Sequence, residues 1–183
     1  MSAPEKNIIK INIGPPLKET LEILSPDSEE SQIDKLAVKY REYFSKYGIY
    51  EMNFYPGIER FIRYNATKYT FGIVSSKPEP FLIKILEKNN LINSFEYVSG
   101  VSLGFNNKPK KERLAELLKS KKINKMDCLF IGDRSEDAES ARYAGVQFLG
   151  VTYGFGKQNE LAGYNCVNDV AMLEEFIVDW AKQ

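Results

Sequence analysis

Histidine is absent from the 183 residues, and cysteine is nearly so, with only Cys128 and Cys166. Without imidazole there is no Ser-His-Asp or Cys-His nucleophile system and no His-based zinc site. Two cysteines make neither a disulfide framework nor a metal cluster, so a reducing, cytoplasmic setting is the simplest expectation. Charge is in excess of neither sign: 25 Lys and Arg stand against 25 Asp and Glu. No overall field therefore recruits nucleic acid or an anionic membrane, and neither is expected as a partner. Nor does any apolar run approach the length of a bilayer span, and Met1 to Lys10 lacks the long apolar segment of a secretion signal. The chemistry that remains belongs to carboxylates, hydroxyls, lysines and a hard metal. A hydrophobic content of 43% supports a core, and the length suits one medium domain with a small appendage.

The most informative stretch runs from Cys128 to Gly145. Its four apolar residues, Cys128 to Ile131, read as a strand buried on both faces of a parallel sheet. A polar loop follows, and then a helix with Ser135 as N-cap, acidic residues in its first turn and Gly145 just past its end. Asp133 thus falls where a parallel strand ends, the edge at which open α/β sheets gather ligands. Asp137 starts the helix and can turn back to the same point. Two converging carboxylates suit Mg²⁺, which takes one or two of them and fills its remaining positions with water and phosphate oxygen. The plainer alternative is that Asp137 complements the helix N-terminus and Asp133 closes a turn.

Elsewhere, β-branched Asn7 to Ile13 reads as a short strand stopped by Gly14-Pro15-Pro16, and Leu17 to Leu24 as a short helix. Glu29 to Tyr47 is the clearest amphipathic helix, with Ile33, Leu36, Ala37, Tyr40, Phe44 and Tyr47 on one face and Gly48 as its C′ residue. Strands are expected at Tyr69–Val74, Phe95–Val98 and Val146–Tyr153, and helices after Gly57, from Pro80, over Glu112–Lys121 and at the C-terminus. This alternation predicts an α/β fold, a doubly wound parallel sheet flanked by helices. The expected divisions are a strand in 1–14 that joins the core, a partial helical cap in 15–48 and the α/β core in 49–183. Ser75 enters a helix beside backbone N–H groups, which suits either a phosphate cradle or a plain N-cap. Lys108, Lys110 and Lys111 are positioned to bring a cation there or merely to solvate the surface.

Six segments carry a resemblance to the haloacid dehalogenase-like hydrolases, in their phosphoglycolate phosphatase-like branch. They are Ile13-Gly-Pro-Pro-Leu-Lys-Glu19, Tyr55-Pro-Gly-Ile58, Gly72-Ile-Val-Ser-Ser-Lys-Pro78, Lys110-Lys-Glu-Arg-Leu114, Ile131-Gly-Asp-Arg-Ser-Glu-Asp137 and Gly150-Val-Thr-Tyr-Gly-Phe-Gly156. The resemblance implies a Rossmann-like core and Mg²⁺-dependent hydrolysis of a small phosphorylated metabolite. Ser75, with Ser76 beside it, would bind the phosphoryl group. Lys110, with Lys108 as a rival, would neutralise it. Asp133 would be a Mg²⁺ ligand, and Asp137 a second ligand or the group that orients the first.

One departure is large. The family's reaction needs an aspartate nucleophile on a central strand that precedes the cap, and here no aspartate precedes Asp27. The resemblance therefore implies a member that starts late, lacks that strand and half its cap, and has little or no activity. The alternatives are a non-catalytic protein that binds phosphate or a partner, or another reaction of the superfamily such as phosphonate cleavage or phosphosugar mutation. Loss of a central strand would leave unpaired backbone groups mid-sheet. Ile8 to Ile13 would be the substitute strand, although Asn12 cannot replace a carboxylate nucleophile. A bare edge or a shortened cap also invites homodimerisation.

Overall fold

The structure, a computed structural model, describes residues 8–9, 12–104, 106–157 and 159–182. Its elements are α1 (Leu17–Leu24), α2 (Glu30–Tyr43), α3 (Ile58–Asn65), β1 (Gly72–Pro78), α4 (Glu79–Lys88), β2 (Tyr97–Val101), α5 (Lys110–Ser120), β3 (Leu129–Gly132), α6 (Ser135–Ala144), β4 (Gln147–Val151), β5 (Cys166–Val167) and α7 (Val170–Trp180). All strand pairs are parallel, in two separate sheets ordered β1-β2 and β3-β4-β5. Gly72 lies opposite Tyr97, and Gly132 opposite Gly150.

Alternation along the strands explains why their sequences are apolar throughout. Ile73, Leu129 and Ile131 pack on a core formed with Phe61, Leu86, Leu149, Leu173 and Ile177. Val74, Cys128 and Phe130 point the other way, onto Leu114, Leu118 and Ala144. Helices α3, α4 and α7 therefore cover one face and α5 and α6 the other, so both faces are buried. The expected α/β class holds, with strands shifted by a few residues and with the unforeseen β5. The polar Ser75–Pro78 continues β1 because Pro78 still pairs with Val101 across a bulge.

From β1 the chain steps outward to β2; from β3 it steps outward through β4 to β5. The reversal lies between β1 and β3, which face each other across a cleft lined by Phe71, Ile73, Leu129 and Ile131. A point of this kind, at the strands' carboxyl ends, is where open α/β sheets place ligands.

Two expectations are overturned. Ile8 and Ile9 are helical and Asn12 lies in a turn, its side-chain amide donating to Ile8 O at 2.8 Å. The proposed strand fails there because Asn12 closes a local turn instead of pairing with the sheet; Asn7, Lys10 and Ile11 lie outside the described residues. Gly48 is not a left-handed cap. It ends a wide π-helical turn, Phe44–Gly48, where a Cβ would sit 2.5 Å from the Phe44 ring. Tyr40 and Tyr47, placed on the buried face by spacing, are exposed; Ile33, Ala37 and Phe44 alone on that face are buried. No helix among the described residues is long and apolar enough to cross a membrane.

Candidate functional site

Strand β3 delivers Asp133 one residue beyond its end. One carboxylate oxygen accepts the Phe155 N–H at 2.6 Å. This closeness requires glycine in the facing loop. A Cβ on Gly154 would lie 2.2 Å from Asp133 Oδ2, and one on Gly156 2.0 Å from the Asp133 carbonyl oxygen. Asp137 is the third residue of α6 and is buried; its Oδ2 accepts the Arg134 N–H at 3.1 Å, tying off the helix N-terminus. Gly132 makes room for it, since a Cβ there would be 2.3 Å from Asp137 Cβ. Ser135 is the first helical residue rather than the cap, and Gly145 has the left-handed φ of 74° expected at the far end.

The other Asp137 oxygen, Oδ1, meets Lys110 Nζ at 2.8 Å, and Glu136 lies 3.5 Å from the same ammonium. Lys110 opens α5, and only 8% of its side chain is exposed. With three N–H donors, it keeps capacity for another acceptor. Lys108 is exposed and pairs with Glu116, which raises its pKa; Lys111 pairs with Glu139 at 2.7 Å. One helical turn past Lys110, Arg113 donates to Ser75 O at 2.8 Å and Ser99 O at 3.0 Å, clasping β1 to β2 at mid-strand. Ser75 is no N-cap, for it lies in β1 and α4 begins at Glu79. Its hydroxyl accepts from the Lys77 N–H at 3.2 Å, which leaves its own proton free to be donated.

Ser76, Lys108, Lys110, Arg113 and Glu136 form the core wall of a cavity of about 490 Å³. The opposite wall comes from α1 and α2 through Lys18, Glu19, Glu22 and Arg41. Burial, then Glu136 and Glu22, push the Glu19 carboxyl up, so carboxylates from both walls confront each other. On the far side of Asp133, Tyr55 and Tyr153 pack edge to face at 5.2 Å. Burial foremost, with Asp133 adding to it, raises both phenols.

Arg134 knits these pieces together. It meets Glu160 at 3.1 Å and donates to Ile13 O at 2.8 Å, so the segment before α1 is pinned beside the site. Glu160 also accepts from the Ser135 and Lys157 N–H groups at 2.9 and 2.8 Å. Burial raises its carboxyl, but these bonds and Arg134 together hold it below the ordinary range.

Lys110 thus meets Asp137 and shares a cavity wall with Ser76, whereas Ser75 lies within β1 and Asp133 just past β3, with no contact between those two. Sequence reading missed Arg113, Tyr55, Tyr153, Arg134 and Glu160. Arg113 was within reach of it, being on the same helical face as Lys110 at a spacing of three. The donor set accommodates Mg²⁺ in one manner only. Both Asp137 oxygens are engaged by Lys110 and Arg134, whereas Asp133 has one oxygen bonded to an amide and the other without a hydrogen-bond donor among the described residues. One carboxylate with water and phosphate oxygens satisfies this ion.

The sequence pattern described as haloacid dehalogenase-like hydrolase matches residues 1–151. The chain is 30% identical over 169 residues to a 5′-nucleotidase of Pseudomonas aeruginosa, covering 90% of this chain and 76% of that protein. It is 34% identical over 100 residues to a phosphoglycolate phosphatase of Salmonella choleraesuis, covering 54% of this chain and 39% of the relative. Among solved structures, a predicted phosphatase from Clostridium acetobutylicum superposes with a TM-score of 0.82 at 32% identity, over 91% of this chain and 78% of that one.

Proposed function

This chain belongs to the haloacid dehalogenase-like hydrolase family, and from that premise we propose that it carries the phosphate- and Mg²⁺-binding half of a phosphomonoesterase site. The observation that carries the reading is the buried Lys110–Asp137 pair at the carboxyl ends of β1 and β3, beside Asp133 and the Ser75–Ser76 hydroxyls. Ser75 donates its hydroxyl proton to a phosphoryl oxygen. Lys110, held by Asp137, neutralises the phosphate charge. Asp133 would hold Mg²⁺, and Asp137, engaged by Lys110 and the Arg134 N–H, would orient Lys110 and the loop instead of binding the ion. Mg²⁺, when bound, would screen the charge of the phosphoryl oxygens.

The ligand is a small phosphorylated metabolite, a reading supported by relatives named 5′-nucleotidase and phosphoglycolate phosphatase. Among the described residues that precede Asp27, the carboxylates are Glu19 and Glu22 of α1, and neither lies on a strand. On this reading the described residues bind phosphate and supply no strand carboxylate to attack an ester. The test is p-nitrophenyl phosphate hydrolysis by the purified chain, with and without Mg²⁺, beside Asp133→Asn. Turnover at the level of buffer is expected. Metal-dependent turnover that disappears in Asp133→Asn would mean that the described residues include a working nucleophile.

A further inference from the structure

We propose that the end of the molecule opposite the candidate site, over Lys119–Asp127, docks on an anionic lipid surface. Charge balances over the whole chain but not over this segment. Lys119, Lys121, Lys122 and Lys125 fall within seven residues, and all four are exposed. None of them meets a carboxylate at ion-pair distance among the described residues, whereas Lys18, Lys108, Lys110, Lys111 and Lys182 each do. The one carboxylate of the segment, Asp127, is engaged by the Asn124 side-chain amide at 2.8 Å. Helix α5 favours cations in and beside its last turn, which accounts for Lys119 and Lys121. It does not account for the other two. Lys122 holds a left-handed φ of 55° just past the helix, where the Ile123 N–H closes on Leu118 O at 2.9 Å. Glycine takes that position without a steric penalty, so lysine sits there against the backbone's preference. Lys125 opens the next turn, and its ammonium reaches the end of α6, 3.4 Å from where a Cβ on Gly145 would lie. The cations thus spread over the ends of both α5 and α6.

Met126 selects the partner. It follows Lys125 and is 82% exposed, more than any other large apolar residue described. Asn124 fixes the turn that presents it by accepting the Met126 N–H at 3.3 Å. An apolar side chain at the tip of a cationic turn suits a bilayer, whose headgroups take the lysines and whose acyl boundary takes the thioether. Nucleic acid offers that side chain no apolar recess; it is held instead by aromatic faces open to a base or by the forked donors of arginine. The four cations are lysines, and Tyr97, the ring beside them, already carries Lys121 Nζ 5.5 Å from its centroid. The Lys125–Asp127 turn feeds the amino end of β3, and Asp133 lies past the other end. A docked molecule therefore keeps the candidate site toward solvent. The inference does not depend on the phosphatase reading above.

The test is co-sedimentation of the full chain with vesicles of equal parts phosphatidylcholine and phosphatidylglycerol, beside vesicles of phosphatidylcholine alone. Partitioning onto the anionic vesicles is expected to be stronger by about tenfold or more, and to fall as salt is raised. Lys122→Gly separates docking from folding. It is expected to weaken partitioning about fivefold, while its urea midpoint holds or rises because glycine relieves the left-handed turn. Met126→Gln is expected to weaken partitioning with its salt dependence unchanged, since it removes no charge. No partitioning, or equal partitioning onto both kinds of vesicle, overturns the proposal. So does either variant that partitions as tightly as the unaltered chain. Tighter binding to a duplex oligonucleotide than to the anionic vesicles, compared at equal phosphate concentration, overturns it in favour of nucleic acid.

Discussion

At the residue scale Lys110 and Asp137 are two buried charges joined at 2.8 Å. Removing one partner strands the other in a poorly hydrated place. Lys110→Met or Asp137→Leu alone is expected to cost about 3–5 kcal/mol in urea unfolding, while the double variant recovers most of the loss. Additive losses would mean that the two side chains do not depend on each other. Gly154→Ala tests the neighbouring carboxylate. Its new Cβ would collide with Asp133, so a loss of about 1–3 kcal/mol is expected. Unchanged stability would show the loop to be looser than described. Asp133 and Asp137 were legible because an apolar run, a glycine and an acidic first turn announce a strand–loop–helix corner. Lys110 was legible through Leu114 and Leu118 behind it. Tyr55, Arg113 and Glu160 were not, since each meets its partner across long stretches of chain that local spacing does not encode.

Element by element, caps and covering faces decide how firmly the site is held. Helix α7 closes the larger core with Leu173 and Ile177, and Asp169 starts it by accepting the Met172 N–H at 2.8 Å. Asp169→Ala is expected to cost about 1 kcal/mol, read as a shift in the urea midpoint with an unchanged slope. The α6 entrance is held by Glu160, whose carboxyl folding lowers from an ordinary 4.5. The folded state then takes up that proton less readily than the unfolded chain. Its contribution is therefore full above about pH 4.5 and is lost as pH falls through the lower folded value. Urea midpoints compared at pH 7 and below pH 4.5 should fall less for Glu160→Gln than for the unaltered chain; identical falls would contradict the assignment. Helices were the easier elements to read, and α1 matches its expected bounds. The N-terminal strand failed because β-branched residues favour extension only where a sheet edge receives them.

For the whole molecule, the division into two parallel sheets is the feature that joins fold to function. The switch between outward steps falls at β1 and β3, and the polar residues lie from the middle of β1 onward and just past β3. Sequence alternation announced the α/β class, but strand order depends on which edges meet in space. The central claim is a phosphate and Mg²⁺ site anchored on Asp133 and Lys110. The most direct measurement is calorimetric titration of inorganic phosphate into the chain with Mg²⁺ present, repeated for Asp133→Asn. Saturable, Mg²⁺-dependent binding that weakens at least tenfold in the variant is the predicted result. Absence of binding by the unaltered chain, or equal binding by both, would contradict the account.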